Sequence, residues 1–590
     1  MAAAEELRGN SGQWQAYNAP GNCVILAGPG SGKTKTLTVK LARMLAEDVK
    51  PPRGIACITY NKECARELKK RLAELGVENA GRVSIGTLHS FCLQHIILPY
   101  VNLTDHKFNS PIKVATSDEI SRFQQQALNG SSRFRGRWEP EIDKHRRNHL
   151  DREAKEWRTD NKEAAEVVER YEKLLSTHGL IDFDAMVLLG LRLIRRYQWI
   201  RKALAARFPI LVVDEYQDLG HALHQIVLHL CFEAEMRLVA VGDPDQSIYG
   251  FTGAEPRLLW GLANRRDVTK ITLQLNYRCG QEIISASEAA LGEARGYKSG
   301  RAETGQILFH ERKDGPEDQA TFICQEIIPQ ALGGRSNRRL GDIAILYLDK
   351  NDGNIVAKEV SSAGWKYIRV DGNNPYQASP VTYWLEDCAG WCAGAWKTGE
   401  IRLSDLIRRW ISFNARLCTE SERRRVQADL VKLLMAHRCP DMSLNEWLSS
   451  FNEKCLKKAL EEEPRLRDDV RKVEKLLKIA APNGPFEAFT VAHFGGHSGS
   501  PDYLRLSTLH SAKGLEYDVV IMFGLDNGRI PWSNDSEATI SEKRRLFYVG
   551  LTRARFEVHL VYSGWYNRSG KRCPAGRSRF VDEVAKKIMP

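Results

Sequence analysis

The residues whose types and spacing promise chemistry first are Ala27, Gly28, Pro29, Gly30, Ser31, Gly32, Lys33 and Thr34. The apolar run Cys23-Val-Ile-Leu-Ala27 before them reads as a short buried strand, and Lys33-Thr-Lys-Thr-Leu37 opens a helical pattern. Strand, glycine loop and helix form the setting in which backbone N–H groups turn inward around phosphates, and the helix N-terminus adds a favourable dipole. Lys33 is expected to reach the β- and γ-phosphates, and the Thr34 hydroxyl to sit on Mg²⁺. The common pattern begins with Gly where this chain has Ala27.

A loop of this kind says only that a nucleotide binds. The other half of the chemistry lies in Ile210-Leu-Val-Val213, an apolar strand that delivers Asp214 and Glu215. Asp214 suits a ligand of Mg²⁺ through water, and Glu215 suits the group that orients or deprotonates the attacking water. A third apolar run, Arg237–Gly242, leads into Asp243-Pro-Asp-Gln246. Parallel strands bring their C-terminal ends to one edge. Gln246 is therefore expected near the γ-phosphate, as a sensor coupling hydrolysis to movement.

Further motifs follow in order. They are Gly12-Gln13-Trp-Gln-Ala16, Ile58–Leu68, Gly86–Phe91, Asp214–Asp218, Gln246–Ala254, Leu275–Arg278, Thr508–Glu516, Arg544–Arg553 and the ending Arg577–Glu583. Together they resemble the UvrD/Rep family of superfamily 1 DNA helicases, over most of the chain outside two inserted regions. The resemblance implies an α/β fold with two RecA-like parallel-sheet P-loop domains, each carrying a mainly helical insertion. It implies ATP and Mg²⁺ as cofactors. Within it, Gln13 reads adenine, Tyr277 stacks on it, Glu516 joins the nucleotide site, and Arg278 and Arg553 are arginine fingers. It also implies DNA contacts at Thr59, Tyr60, His89, Tyr249, Phe251 and His510. Two departures stand out. The family usually has Trp-Arg where this chain has Phe251-Thr252, a smaller stacking face and one cation fewer. Glu63 stands in the first DNA motif where a neutral or basic residue is usual.

The elements that must position these groups are divided, by the same resemblance, into a first core at 1–95 and 205–275 and a second at 276–378 and 500–590. Helical insertions are expected at 96–204 and 379–499. In the first, Ala164, Val167, Val168, Tyr171, Leu174 and Leu175 fall on one stripe at helical spacing. Before them, Arg133, Arg135, Arg137, Lys144, Arg146, Arg147 and Arg152 read equally as a duplex-facing surface or a solvated face. In the second, Trp384, Trp391, Trp396 and Trp410 suit an amphipathic core better than a stacking track. That insertion looks short for the family, which leaves strand-separating power open.

Bulk composition agrees. The 590 residues exceed one core, and 86 Lys and Arg against 74 Asp and Glu give a net charge of +12 that suits a polyanion. No apolar run is long enough for a membrane span, and the N-terminus lacks the pattern of a secretory signal, so a cytoplasmic protein without membrane partners is expected. The 13 cysteines show no paired metal-site spacing and read as reduced, mostly buried thiols. The leading reading is an ATP-driven helicase or translocase moving 3′ to 5′ on single-stranded DNA and at single-strand/duplex junctions. A translocase without useful unwinding, an ATP-switched DNA-end sensor and an RNA motor are the alternatives. A separate nuclease or repair subunit is the partner that the compact form would fit.

Overall fold

The computed structural model describes residues 2–60, 62–77, 82–105, 112–134, 136–152, 154–250, 253–335, 337–369, 376, 379–398, 401–414, 419–463, 466–487, 489–495, 503–568 and 570–589. The expected groups Arg135, Phe251 and Thr252 lie outside them. Two compact units form. Unit 1 holds 1–307, 527–557 and 578–590, and unit 2 holds 308–526 and 558–577.

Unit 1 is built on a six-stranded sheet of β1 (Cys23–Ala27), β2 (Ile55–Thr59), β3 (Val83–Thr87), β4 (Ile210–Val213), β5 (Arg237–Gly242) and β6 (Thr269–Leu273), in the order β3-β2-β4-β5-β1-β6. Every neighbouring pair is parallel. Its central strands are buried along their whole length because both faces are covered, and alternate residues feed opposite cores. Val24, Leu26, Ala56, Ile58, Leu211 and Val213 enter one apolar cluster. Cys23, Ile25, Ala27, Ile55, Cys57, Ile210 and Val212 enter another. Each such side chain contributes about 1.5–3 kcal/mol by leaving water, so the strand ends that carry Asp214 and Asp243 stand on a stiff floor.

Unit 1 also gathers segments distant in sequence. Arg544 donates to the Ala290 carbonyl at 2.6 Å and to Glu583 at 3.1 Å, and the Phe547 and Phe580 rings lie 5.8 Å apart. These contacts bind helices Gln281–Leu291, Glu537–Leu551 and Arg579–Ile588 to one another.

The insertion within unit 1 is mainly helical. Helix Lys162–Thr177 buries Ala164, Val167, Val168, Tyr171 and Leu175 around Trp157 and Phe123, with Leu174 at the margin. Neither expectation for the cation run holds at Arg146. Its side chain is 1% exposed, donates to Asp182 at 2.7 and 3.1 Å and to Glu172 at 2.9 Å, and Tyr171 Oη adds a bond to Asp182. Arg152 joins Glu172 at 3.1 Å, and Arg147 reaches Asp184 at 3.0 Å. The planar guanidinium fork matches a carboxylate edge, so these arginines close an internal network, while Arg133, Arg137 and Lys144 stay exposed. Burial works against charge on Asp182 and Glu172, but Arg146 outweighs it and holds both carboxyls below their usual range. Their stabilisation is therefore present above the ordinary carboxylate pKa and is lost as pH falls through the lower folded one. Arg146→Ala, which strands the buried Asp182 carboxylate and leaves Glu172 with Arg152, is expected to cost about 3–5 kcal/mol. Denaturant melts read this, and an unchanged midpoint would refute a net contribution from the network.

Unit 2 carries a second six-stranded sheet: β7 (Gln306–Arg312), β8 (Ile343–Tyr347), β9 (Tyr367–Arg369), β10 (Leu504–Thr508), β11 (Tyr517–Met522) and β12 (Ala554–Ser563), ordered β7-β12-β11-β8-β10-β9. β8 runs parallel to β10 and β11, and β9 to β10. A helical subdomain between β9 and β10 buries Trp384, Trp391, Trp410 and Trp447, with Trp384 stacked on Trp410 at 4.9 Å. Trp396 departs from the expected core role: it is 41% exposed, under Arg438 at 5.1 Å and Lys397 at 5.6 Å. The kink at Gly394 turns the chain outward just before it. Eight of the twelve described cysteines are buried, which favours packing over reactivity for them. Among the described residues no helix is long and apolar enough to cross a membrane.

Candidate nucleotide and nucleic-acid site

The phosphate loop leaves β1 at Ala27 and enters helix α1 (Lys33–Glu47). Gly30 and Gly32 have φ of 65° and 78°, left-handed values that a side chain resists, and a Cβ on Gly30 would run into Asn276 and Arg278. Ser31 Oγ donates to the Gly28 carbonyl at 2.7 Å and tightens the turn, with Pro29 buried inside it. Tyr277 N–H donates to Gly30 O at 2.8 Å, and Gln13 Nε2 donates to Ser31 O at 3.0 Å. Asn10 joins these two, bonding the Gln13 N–H at 3.1 Å and the Tyr277 hydroxyl at 3.0 Å. Gln13 is thus buried beside the loop, while the Tyr277 ring is 45% exposed and free to carry a flat partner. The Tyr297 ring packs on Gly28, a contact with no signal in the sequence.

Asp214 follows β4, its N–H bonded to Ile58 O at 2.9 Å. Glu215 adopts φ 51° and ψ 45°, a left-handed conformation that costs a non-glycine residue about 1–3 kcal/mol and gathers at functional sites. That turn aims its carboxylate back at Lys33, with Nζ 3.6 Å from Oε1. Gln217 Nε2 donates to Glu215, and Gln217 Oε1 accepts the Asp243 N–H at 2.9 Å. Gln246 Nε2 donates to Asp243, and Gln246 Oε1 accepts from Arg553 Nη2 at 3.2 Å. Arg278 Nη1 donates to the Thr552 carbonyl at 3.3 Å, beside Arg553. One line of polar contacts therefore runs from Lys33, through its ion pair with Glu215 and then by hydrogen bonds through Gln217, Asp243 and Gln246, to Arg553, and all its members lie in unit 1. Gln217 and Asp243 were legible only as parts of quoted segments; their bridging needs the fold.

The electrostatics are those of a site made for an anion and a cation together. Burial, then Glu215, pushes the Asp214 carboxyl up to about 7, and burial pushes Asp243 up to about 6. Burial works against the Lys33 charge, but Glu215, Asp243 and Asp214 outweigh it and raise its pKa. Burial and then the like charge of Arg278 push Arg553 down to about 10. Buried Asp214 and Asp243 and half-buried Glu215 crowd one lysine, which favours an added cation, and the neighbouring Arg278 and Arg553 guanidinium groups favour an added anion.

Of the expected DNA contacts, Tyr60 and Tyr249 stack at 4.9 Å with planes 21° apart. Tyr60 and His89 line a half-open cavity of about 440 Å³ with Phe183, Arg147, Asp218 and His221. Phe183 is 56% exposed and meets His89 edge-on at 5.5 Å. Burial lowers the His89 pKa, so its ring is neutral at neutral pH. Phe183 was not read as a site residue, because it comes from the insertion, and Arg147 was read only within the cation run that suited a duplex-facing surface and a solvated face equally. Thr59 does not reach this cavity: it is fully buried, its hydroxyl donating to Gly86 O at 3.4 Å, because the strand ends inside the sheet. His510 and Glu516 belong to unit 2, on the turn after β10, where His510 is half-buried and Glu516 exposed.

Comparison with known proteins agrees with this geometry. Residues 9–266 match the family model of the UvrD/REP helicase N-terminal domain, and 493–564 match that of the UvrD-like helicase C-terminal domain. The chain is 26% identical to the ATP-dependent DNA helicase PcrA of Bacillus subtilis, over 96% of this chain and 84% of that protein. It is 25% identical to the ATP-dependent DNA helicase UvrD1 of Mycobacterium tuberculosis strain H37Rv, over 96% and 83%. A PcrA of Staphylococcus aureus strain COL is 23% identical over 96% and 85%. Phosphate loop, paired carboxylates, paired arginines and stacked tyrosines thus occur in a chain matched at both ends, and this protein belongs to the UvrD/Rep helicase family.

Proposed function

We propose that this chain is an ATP-dependent DNA helicase that translocates 3′ to 5′ on single-stranded DNA. The observation that carries the reading is the polar line that begins with the Lys33–Glu215 ion pair and runs by hydrogen bonds from Glu215 to Arg553, passing through Gln246, three residues before Tyr249 of the stacked pair Tyr249–Tyr60. A change at the γ-phosphate can travel along such a line.

In this reading the Ala27–Thr34 loop cradles the phosphates, Gln13 reads adenine and Tyr277 stacks on it. Lys33 neutralises the β- and γ-phosphates, Gln246 senses the γ-phosphate, and Arg278 and Arg553 stabilise the charge that develops on it. Glu215, held by Lys33 and Gln217, orients the attacking water and takes its proton. The crowd of buried carboxylates fits a divalent cation: Thr34 and Asp214 would hold Mg²⁺, which supplies further neutralisation of the phosphates. Glu516 is assigned to nucleotide binding on the family resemblance. Tyr60, Tyr249 and Phe251 offer stacking faces worth about 1–3 kcal/mol per base, His89 and Phe183 join Tyr60 in the adjoining cavity, and His510 is assigned to DNA contact on the family resemblance. The two cores are taken as 1–95 with 205–275, and 276–378 with 500–590, with 96–204 and 379–499 as insertions. Single-strand/duplex junctions are the substrate, and a separate nuclease or repair subunit is the proposed companion.

The test is the ATPase rate with single-stranded DNA, duplex DNA and RNA, run beside unwinding of 3′-tailed and 5′-tailed duplexes. Stimulation by single-stranded DNA together with opening of the 3′-tailed duplex is expected. Stimulation without opening would leave a non-unwinding translocase, and slow turnover without directional movement would leave an ATP-switched sensor.

A further inference from the structure

Helix α2 (Glu537–Leu551) ends where Thr552 and Arg553 begin, so its C-terminal end carries a proposed finger. Its body lies along the segment Gln246–Gly250. Glu542 Oε1 accepts the Gly250 N–H at 2.9 Å. Arg545 Nε donates to the Ser247 carbonyl at 2.7 Å. Arg553 Nη2 donates to Gln246 Oε1 at 3.2 Å. Helix and segment therefore run in opposite directions: Glu542 and Arg545 hold Gly250 and Ser247 from the helix, and Arg553, two residues past its end, meets Gln246. Two of the three contacts go to backbone groups of the segment, so they hold its path rather than any one side chain. Gly250 has no Cβ, and one there would stand 2.8 Å from Glu542 Oε2. The far side of the segment is held as well, since Arg295 pairs with Asp245 at 2.6 and 2.8 Å.

The two ends of this segment do different things. Gln246 belongs to the nucleotide line. Tyr249, next to the Gly250 that Glu542 grips, stacks on Tyr60. The rings stand too close to admit a base between them unless one is displaced, and the backbone of Tyr249 adjoins the Gly250 N–H that Glu542 holds.

We propose that Glu542 and Arg545 are positioning residues that transmit the state of the Tyr249–Tyr60 pair along helix α2 to Arg553, and so make ATP hydrolysis answer to nucleic acid. This deepens the motor reading and rests on it. Neither side chain touches nucleotide or nucleic acid in this account; each acts through the backbone it holds. The burial that lowers the Arg545 pKa fits a guanidinium committed to its partners rather than to solvent.

The test uses the full chain with Glu542→Ala, Glu542→Gln, Arg545→Ala and Arg545→Lys. ATPase rates are measured without nucleic acid and with saturating oligo-thymidylate, beside oligonucleotide affinity by fluorescence anisotropy. Glu542→Ala is expected to lower the DNA-stimulated kcat about tenfold, on the ordinary scale of coupling between sites, while the rate without DNA stays that of the parent. Glu542→Gln keeps an acceptor oxygen and is expected to restore stimulation; Arg545→Lys is expected to outperform Arg545→Ala. A merely structural role would lower both rates together, whatever the substituent. Full stimulation in Glu542→Ala, or a proportional loss of both rates with no rescue by Gln, overturns the proposal. Absence of stimulation in the parent protein would instead sink the motor reading, and the proposal with it.

Discussion

Lys33→Ala is expected to abolish ATP hydrolysis and to leave binding of single-stranded DNA largely intact. Lys33 is the cation facing Glu215, Asp243 and Asp214, and its Nζ lies 3.6 Å from Glu215. Its removal deletes a positive charge aimed at the phosphates and leaves Glu215, Asp214 and Asp243 without their cation. Loss of one preorganised donor to a developing charge slows an enzyme by about 10²–10³-fold. Loss of a full charge in a water-poor site is expected to exceed that. The stacked tyrosines and the cavity beside His89 contain no contact to Lys33, so DNA affinity is expected to change little. A coupled ATPase assay and an anisotropy titration read the two quantities separately. Hydrolysis persisting within tenfold of the parent, on the same scale, would mean the site is misassigned.

The second large effect belongs to Arg553. Arg553→Ala is expected to lower kcat by about 10³–10⁵, the range for an arginine finger, with a much smaller change in nucleotide affinity. The side chain is 1% exposed and is held by Val549 O at 3.0 Å, by Thr552 Oγ1 at 3.2 Å and by Gln246 at 3.2 Å. A guanidinium kept buried against its own desolvation and the neighbouring Arg278 charge is stabilised most when negative charge grows beside it, which is the condition of the transition state. Arg553→Lys keeps a charge but not the fork that spans Gln246 and Thr552, so it is expected to remain slow. Equilibrium binding of a non-hydrolysable ATP analogue separates the outcomes: a variant that simply fails to bind nucleotide would count against the finger role.

Lys33 is marked by its local sequence alone, whereas Arg553 is marked only by the order of motifs and the family resemblance. The order apolar strand, glycine loop, Lys33 is local, and so is Ile210–Val213 leading to Asp214 and Glu215. Their physical causes, a buried parallel strand and a helix N-terminus, act over a few residues, and so they can be read from a few residues. Charge and aromatic content outside such motifs are less informative. Arg146 looked like part of a surface run because sequence records its charge and not Asp182, which stands 36 positions away in a two-pronged bond. Trp396 sat in a row of tryptophans of which Trp384, Trp391 and Trp410 are buried, and a kink at Gly394 sends it out.

What the sequence alone determined is the inventory of the nucleotide site: the loop, the carboxylates and, through motif order, the arginines Arg278 and Arg553. Tertiary structure decided how they are joined. The Gln217 bridge, the left-handed turn at Glu215, Tyr297 on the loop, Thr59 turned into the sheet and the grip of Glu542 on Gly250 all depend on partners that are 26 to 292 positions apart or on a backbone conformation that only packing enforces. Neighbours at such separations are set by the topology of the sheet and by which helices cover it, and no local preference of the chain encodes them.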